Sequence, residues 1–242
     1  MGHPKIVLTA DRTLMSPYRG ISLATFFGCA PALDPHRSKN SIWYYLFKNQ
    51  VTPKVLFDFI CNPIGHNNGV ASYAPYGIRK VEAALLRDGF KREDVVVAHP
   101  DHVDKFIGPE TQVVGTHEMD PLGMGPVTMT FTYGRKQMSY DEFYCRDLHM
   151  KINEAKKKNG SNAKVIAGAS GTWQYNYDPK KIQEYGLYAV LEGELGGIAP
   201  EIDGHAGEFF NDLIDGAFDN MNPFSKNDFK VDIKEFGKGD TK

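Results

Sequence analysis

The sequence has few cysteines, no long apolar run and no excess of basic residues. Its three cysteines, Cys29, Cys61 and Cys145, lie far apart in a chain of 242 residues. This spacing excludes a CxxC zinc knuckle and a three-cysteine loop for an iron–sulfur cluster, so we expect buried free thiols. No apolar stretch approaches the roughly 18 residues of a membrane span, and the N-terminus lacks the basic and apolar regions of a signal peptide. We therefore expect a cytoplasmic protein.

The charge balance indicates no general affinity for nucleic acid. The formal net charge is -2 at pH 7, and the lysine run at residues 156–158 ends a predicted helix, where cations suit the negative helix end. With 41% hydrophobic and 24% charged residues, the chain can bury one large core. No GxGxxG follows the first strand of the regular region, and neither a GxxxxGK[ST] nor a GxSxG motif is present, which argues against nucleotide binding and a serine hydrolase.

Strand-like and helix-like segments alternate from residue 55 onward. Short continuous apolar runs predict buried strands, and apolar residues at helical spacing predict the helices between them. This alternation is typical of a doubly wound α/β fold with a mostly parallel five-stranded sheet, of the Rossmann-like or flavodoxin-like kind. The predicted strands are residues 55–61, 95–98, 112–116, 164–167 and 188–192, and the predicted helices are residues 76–90, 102–107, 141–158, 179–185 and 198–214.

Three regions follow from this pattern. Residues 1–54 contain an apolar run at 6–10 and a stretch rich in proline and aromatic residues, and we expect an N-terminal extension packed on the main domain. Residues 55–220 are expected to form the Rossmann-like domain. Residues 221–242 are expected to be a C-terminal tail or a linker to a further domain.

The loops after the predicted strands are long and rich in glycine, whereas those at the opposite edge are short and charged. Ligands of parallel sheets bind at the carboxyl ends of the strands, so we expect a broad, shallow site for a large ligand there. The segment GASGT at residues 168–172 would let backbone amides approach such a ligand closely. The alternative is that this segment only caps its strand and begins a helix at Thr172.

Several stretches of the sequence together resemble a known family. They are APYGIRKVEAALLRDGF at residues 74–90, VVGTHEMDPLGMGPVT at 113–128, VIAGASGTW at 165–173, VLEGE at 190–194 and DRTLMSPYRG at 11–20. As a set they resemble the N-terminal cobalamin-binding domain of cobalamin-dependent radical S-adenosylmethionine enzymes, in particular an archaeal branch. The resemblance covers nearly the whole chain.

The resemblance implies a base-off cobalamin whose corrin ring lies across the carboxyl ends of the strands. Its nucleotide tail would thread past the GASGT segment, with residues 192–194 on the far side, and residues 116–125 would border the ring. The amide arms of a cobalamin need backbone groups and polar side chains as hydrogen-bond partners. The resemblance assigns no catalytic residue to this chain, and the cofactor-binding residues that it implies are His66, Gly69, Tyr73, Tyr76, Gly77, Thr116, Glu118, Met119, Asp120, Leu122, Gly123, Gly125, Gly168, Ala169, Ser170, Gly171, Thr172, Glu192, Gly193 and Glu194.

The residues of this chain leave open which group would lie beneath the cobalt. Related methyl-transfer proteins carry DxHxxG, whose histidine binds cobalt and whose aspartate orients the histidine. The matching stretch IGHNNG keeps His66 and Gly69 but has Ile64 for the aspartate, so the partner that fixes a ligating imidazole is missing. His66 as lower cobalt ligand is one interpretation. Tyr73 or Tyr76 beneath the ring is another, and a purely structural role in the loop is a third.

The resemblance also implies a partner. The radical half of these enzymes holds its iron–sulfur cluster through CxxxCxxC, which the cysteines of this chain do not supply. The chain would then be the cofactor-carrying part of a radical methyltransferase, inactive alone, with the radical S-adenosylmethionine domain in the same full-length chain or in a separate subunit. That partner would bind the cluster and S-adenosylmethionine and would select the methyl acceptor. Neither nucleic acid nor a membrane is expected as a partner.

Two other interpretations stay open. His99 and His102, and His117 beside Glu118, could be parts of a metal or acid–base cluster. Nothing in their spacing brings them together, and a loop that begins a helix, with Asp101 as its cap, also explains the first pair. For the chain as a whole, the alternative is a flavodoxin-like module that binds a flavin, a nucleotide or a partner protein without cobalamin.

Overall fold

The computed structural model describes residues 2–32, 52–192, 210–211 and 214–215. Its centre is a five-stranded parallel sheet, and a separate two-stranded antiparallel hairpin lies beside it. The strands are β1 (Ile6–Ala10), β2 (His66–Asn67), β3 (Val70–Ala71), β4 (Val95–Val97), β5 (Val113–His117), β6 (Lys164–Ala169) and β7 (Ala189–Glu192). The hairpin is β2 and β3, and the order in the sheet is β4-β1-β5-β6-β7.

Five α-helices and four 3-10 helices connect the described strands. The α-helices are α1 (Lys54–Ile60), α2 (Tyr76–Arg87), α3 (Pro126–Phe131), α4 (Tyr140–Asn159) and α5 (Lys180–Glu184). The 3-10 helices are Tyr18–Gly20, Ser22–Cys29, Pro100–Lys105 and Thr172–Asn176. None of the described helices is long and apolar enough to cross a membrane.

The longest helix, α4, has clear start and stop signals in its sequence. The hydroxyl of Ser139 accepts a hydrogen bond from the backbone N–H of Glu142, which caps the N-terminus. Acidic residues occupy the first turn and three lysines the last, and each group complements the helix dipole. The helix ends at Asn159, and the next residue, Gly160, has a φ of 65°, which is in the left-handed region that favours glycine. The lysine run is therefore part of a helix end, as expected.

The strand order confirms the predicted fold class. Numbered along the chain, the five sheet strands lie in the order 2-1-3-4-5, which is the flavodoxin-like arrangement of a doubly wound sheet. Four of the five predicted strands and the helices predicted at 76–90, 141–158 and 179–185 are present, with boundaries shifted by up to three residues. The helix predicted at 102–107 is the 3-10 helix Pro100–Lys105. In this arrangement the chain leaves β1 and β5 toward opposite sides, and the crevice between their carboxyl ends is the usual ligand position.

The sheet is buried on both faces. Ile6 and Leu8 of β1 belong to one apolar cluster with Leu85 of α2, whereas Val7 belongs to the other cluster with Ile152 of α4. Successive side chains of a strand point to opposite faces, so a strand covered on both sides must be apolar throughout. This requirement produces the continuous apolar runs that predicted the strands.

The strand predicted at residues 55–61 was wrong, because these residues form α1. Phe57 is fully buried and stacks on Tyr140 with the ring centroids 3.7 Å apart, while Val55, Leu56 and Phe59 are exposed. A short apolar run does not distinguish a buried strand from a helix. Here the run reflects an apolar helix surface that the described chain leaves largely uncovered.

The N-terminal extension expected at residues 1–54 also needs correction. Ile6–Ala10 is the central strand of the sheet, paired in parallel with β4 on one side and β5 on the other. It therefore belongs to the same unit as the strands that follow it. The predicted helix at 198–214 and the tail at 221–242 lie outside the described residues, apart from 210–211 and 214–215, of which Phe210 packs into the cluster on the α2 side of the sheet.

Candidate functional site

The switch point of the sheet lies between the carboxyl ends of β1 and β5. Ala10 and His117 are register partners at the ends of these strands, and Asp11 and Glu118 are the first residues after them. The connection from β1 to α2 spans residues 11–75 and includes the β2–β3 hairpin. Asp11 was not predicted as a site residue, because the sequence pattern did not place β1 in the sheet. The available signal was its position as the acidic residue directly after the apolar run at residues 6–10.

Glu118 is the centre of a buried hydrogen-bond network. One carboxylate oxygen accepts from the hydroxyl of Thr116 at 2.7 Å and lies 2.6 Å from Nε2 of His149, and the other accepts from the hydroxyl of Tyr175 at 2.6 Å. Burial alone would raise the pKa of Glu118. The attraction and hydrogen bond of His149, together with the hydroxyl donors, outweigh burial and hold that pKa below its ordinary value.

The same network contains a possible set of metal ligands. One donor atom each of Glu118, Cys145 and His149 lies within 4.8 Å of the others, and the two helical residues stand one turn apart on α4. All three side chains are buried, and burial raises the pKa of the Cys145 thiol well above its usual range. A metal requires the thiolate. The arrangement is therefore better suited to brace β5 against α4 than to perform the acid–base chemistry considered for His117 and Glu118.

A second acidic group lies close to the end of β1. One oxygen of Asp11 accepts from the backbone N–H of Thr13 at 2.7 Å and from its hydroxyl at 2.5 Å. Burial raises the pKa of Asp11 to about 6 and, with repulsion from Asp11, that of Asp141 to about 8. The two carboxyls therefore carry less than two negative charges at neutral pH.

The GASGT segment is packed tightly against neighbouring backbone. The N–H of Gly171 donates to the carbonyl of Glu118 at 3.0 Å, and a Cβ atom on Gly171 would lie 2.1 Å from the carbonyl oxygen of Met119. The hydroxyl of Thr172 lies 2.9 Å from the carbonyl oxygen of Ala169 and 2.8 Å from that of Leu191. The 3-10 helix Thr172–Asn176 starts at the residue that the alternative named. That part of the alternative is confirmed, and contact of the segment with a ligand stays a prediction.

Two members of this segment have further properties. Ala169 is buried and has a φ of 97°, which is a strained backbone conformation for a residue with a side chain. Ser170 is half-buried, whereas Gly168, Gly171 and Thr172 are buried. Ser170 is therefore the member of the segment whose side chain a ligand could reach without displacing the surrounding protein.

Asp120 shapes the loop that follows β5. One of its oxygens accepts from the backbone N–H of Gly125 at 2.9 Å and from the side-chain amide of Gln174 at 2.7 Å, and the other accepts from the hydroxyl of Thr128. Gly123, with a φ of 65°, turns the same loop. Leu122 is fully buried. Of the residues expected to border the corrin, these three serve the fold of the loop, and Met119 presents a large exposed side chain.

The carboxyl edge carries four large exposed apolar or aromatic side chains. Met119 follows β5, Trp173 follows β6, Tyr73 lies between the hairpin and α2, and Tyr76 is the first residue of α2. Their exposed fractions are 54%, 38%, 54% and 74%, in that order. We call these four residues the edge platform. Tyr73 also lines a cavity of about 310 Å³ together with residues of the loop after β1. Gly77 is buried in the first turn of α2.

Comparisons with protein-family models, with curated proteins and with solved structures found no match.

His66 lies in the hairpin at the carboxyl end of β4, where the structure brings three histidines together. Its Nε2 lies 2.9 Å from Nε2 of His102, and its ring centroid is 5.2 Å from that of His99. Its Nδ1 accepts a hydrogen bond from the N–H of Gly69 at 3.2 Å. Both ring nitrogens are thus engaged within the protein, and His66 as a lower ligand of cobalt stays a prediction. Spacing alone could not bring His66 to this cluster, because 36 residues separate it from His102.

The last group of expected residues follows β7. Glu192 ends this strand, and nothing further is described of its side chain. Gly193 and Glu194 lie outside the described residues. The expected far side of the nucleotide tail therefore stays a prediction.

Proposed function

We propose that the chain binds a cobalamin, base-off, across the carboxyl edge of its sheet, as the cofactor-carrying part of a cobalamin-dependent radical methyltransferase. The observation that carries this proposal is the edge platform. Four large apolar or aromatic side chains stay exposed at the edge where a sheet of this strand order binds ligands. A contiguous apolar patch marks a binding site, and a ligand that spans the edge would cover these four side chains together.

The shape of the edge suits a broad, flat ligand. Four loops, from β1, β4, β5 and β6, converge there, and the platform residues come from widely separated parts of the sequence. A macrocycle that lies on such an edge buries apolar surface, and each Å² removed from water stabilises the complex by about 25 cal/mol. Its amide arms find hydrogen-bond partners in loop backbone and in polar side chains such as that of Ser170.

The charges at the switch point bear on where a phosphate group can lie. Asp11 and Glu118 follow β1 and β5 directly, and the pKa of Glu118 is lowered. FMN and the nucleotide tail of a cobalamin both carry a phosphate, so negative charge between these strand ends disfavours that position for either ligand. The strand order fits the flavodoxin-like alternative equally well, and the edge platform is the observation that favours a cobalamin.

Under this proposal the residues of the chain position the cofactor and exclude water from one face of it. When bound, the cobalamin supplies a methyl group for transfer, while a separate radical S-adenosylmethionine domain supplies the cluster and selects the acceptor. The three cysteines are free in the described structure. Free thiols are typical of a reducing compartment, so we propose the cytoplasm as the location.

The test is retention of colour by the purified chain. The protein is mixed with hydroxocobalamin or with FMN in separate samples, passed through a gel-filtration column, and measured by absorbance. The proposal predicts about one retained cobalamin per chain and no retained FMN. Retained FMN without cobalamin would support the flavodoxin-like alternative, and retention of neither would overturn the cobalamin proposal.

A further inference from the structure

We propose that His66 and His102 form a binding site for a first-row divalent transition metal ion, with His99 beside it. The site lies at the carboxyl end of β4, apart from the Glu118 network. The inference does not depend on cobalamin binding. It uses a cluster of three imidazoles for which the proposed function supplies no role.

The distance between the two imidazole nitrogens fits shared coordination. Nε2 of His66 and Nε2 of His102 lie 2.9 Å apart, and the ring centroids are 4.3 Å apart. Two nitrogens bound at the usual metal–nitrogen length of about 2.0–2.1 Å lie about 2.9 Å apart at a right angle and about 3.3 Å apart at a tetrahedral angle. A movement of a few tenths of an ångström therefore covers both geometries. Solvent would complete the coordination shell.

The fold holds the two histidines in this arrangement. The N–H of His99 donates to the carbonyl of Gly69 at 2.8 Å, and Val70 bridges to Ala98 at the end of β4, so the hairpin is tied to the sheet. A Cβ atom on Gly69 would lie 3.1 Å from Cβ of His102. This close packing places the hairpin directly on the 3-10 helix Pro100–Lys105. A pre-organised pair of ligands loses little freedom when it binds an ion.

His99 provides an independent indication that a ligand belongs here. Its side chain is buried, and its Nδ1 accepts a hydrogen bond from the N–H of Asp101 at 3.0 Å. In a neutral imidazole the proton is then on Nε2. That nitrogen is buried and makes no hydrogen bond of full geometry among the described residues, although the backbone of Ile64 also acts on the ring. Its ring centroid lies 5.2 Å from those of His66 and His102, so a water or hydroxide on the metal would be a suitable acceptor.

Coordination requires one rearrangement of protons within the pair. Nδ1 of His66 now accepts from Gly69 at 3.2 Å, so Nε2 carries the proton and donates it toward His102. To bind a metal through Nε2, His66 must move that proton to Nδ1 and give up the long hydrogen bond from Gly69. His102 directs its Nε2 lone pair at Nε2 of His66, so both rings must also turn until their lone pairs meet at an ion between them.

The donor atoms select the class of metal. Two neutral imidazoles with solvent suit zinc, nickel, copper or cobalt, whereas magnesium and calcium prefer oxygen ligands. The nearby charges of the 3-10 helix largely cancel, since Asp101 pairs with Lys151 at 3.0 Å while Asp104 and Lys105 both act on His102. We therefore expect the affinity for the metal ion to depend mainly on the two imidazole ligands.

The experiment is calorimetric titration of the full chain with zinc chloride, with magnesium chloride in a parallel sample. We expect one zinc ion per chain and no magnesium binding. Even outer-shell partners of a metal are worth about 10- to 100-fold in affinity, so His66→Gln and His102→Gln should each weaken zinc binding by at least that factor. His3→Gln is a matched histidine control, because His3 pairs with Glu110 instead. It should bind zinc like the wild type.

Two further measurements make the result decisive. Cys145→Ser tests the rival ligand set on α4: a loss of zinc in this variant, with none in His66→Gln, would overturn the proposal. Absence of saturable zinc binding to the wild type would also overturn it.

Electron paramagnetic resonance of the wild type with one equivalent of copper(II) tests the site without any substitution, so the result does not depend on whether a variant folds. Imidazole nitrogen couplings that disappear when excess zinc is added would support the shared site, and a spectrum without such couplings would contradict it.

Discussion

A Cβ atom on Gly171 would lie 2.1 Å from the carbonyl oxygen of Met119. The loops after β5 and β6 are therefore in direct backbone contact, and the N–H of Gly171 donates to the carbonyl of Glu118 in the same contact. The glycine allows this approach. The side chain of Met119, which belongs to the edge platform, is positioned by it.

Replacement of this glycine should loosen the contact between the two loops. In Gly171→Ala the added methyl group meets backbone that cannot rotate away, so we expect a loss of about 1–3 kcal/mol in the free energy of unfolding. Urea denaturation followed by circular dichroism measures it. The control is Ser170→Ala, a change at a neighbouring half-buried position, and its loss of unfolding free energy should be well under half as large. Equal stability of Gly171→Ala and wild type would show that the contact between the loops is not rigid.

The buried Glu118 network should contribute strongly to stability. Glu118→Gln replaces one carboxylate oxygen, which now accepts from Tyr175 or His149, by an amide N–H₂ group. That amide is a donor, and it would face the donor group of the same partner. Loss of a buried partner of this kind costs about 1–3 kcal/mol. Tyr175→Phe removes one donor and leaves the carboxylate with two others, and we expect a smaller loss. If urea denaturation ranks these two variants in the opposite order, the network is not organised around the carboxylate.

The Asp11 and Asp141 carboxyls should make stability depend on pH. Both have an ordinary pKa of 3.8 and raised values of about 6 and about 8 in the folded protein. Between these values the folded state holds protons that the unfolded chain has released, so their contribution to stability falls as pH rises from about 4 to about 8. Asp141→Asn removes one such group. The gap in unfolding free energy between this variant and wild type should therefore shift in favour of the variant with increasing pH, by at most about 1.4 kcal/mol per pH unit.

That comparison needs a control for general effects of a substitution. Met150 on α4 is 52% exposed and has no titratable group, so Met150→Gln should keep a constant difference from wild type across the same range. The measurement is urea denaturation of the three proteins at pH 5, 6.5 and 8, values chosen to span the window set by the raised pKa values. A pH-independent difference for Asp141→Asn would mean that this carboxyl titrates normally.

The edge platform can be tested with two methionines of nearly equal exposure. Met119 at the carboxyl edge is 54% exposed, and Met150 on the outer surface of α4 is 52% exposed. If the corrin covers Met119, Met119→Gln should weaken hydroxocobalamin binding by roughly tenfold, which corresponds to about 1.4 kcal/mol of lost apolar burial. Met150→Gln should not change the affinity. Equal effects of the two changes in an absorbance titration would remove the platform from the binding surface.

Much of the fold could be predicted because buried parallel strands have a local signature. β4, β5, β6 and β7 are short apolar runs between helical segments, and burial on both faces imposes that pattern. The same reasoning was wrong for residues 55–61, since a short apolar helix has the same composition. The central position of β1 depends on pairing with strands about 90 and 107 residues away. The local sequence of β1 does not show which strands it pairs with, so its position could not be predicted from that sequence.

The position of the glycine-rich loops was predicted more fully than the contacts that these loops make. The glycine-rich loops do lie at the carboxyl edge, but the reason for Gly171 is a contact with Met119, which is 52 residues away. The histidine cluster depends on the hairpin packing against the 3-10 helix after β4, again a long-range contact. Residue types indicate which chemistry is available, whereas three-dimensional packing decides which of these residues meet.

The most direct test of the central claim is the electron paramagnetic resonance spectrum of cob(II)alamin mixed with the protein. Free cob(II)alamin at neutral pH has its own base on cobalt, and the nitrogen of that base splits the spectrum into triplets. We predict that the bound form loses this splitting, because the base leaves the cobalt and no histidine replaces it. A spectrum that keeps the triplets of the free cofactor, at protein concentrations well above those used in the titration, would contradict base-off binding without a histidine ligand at this edge.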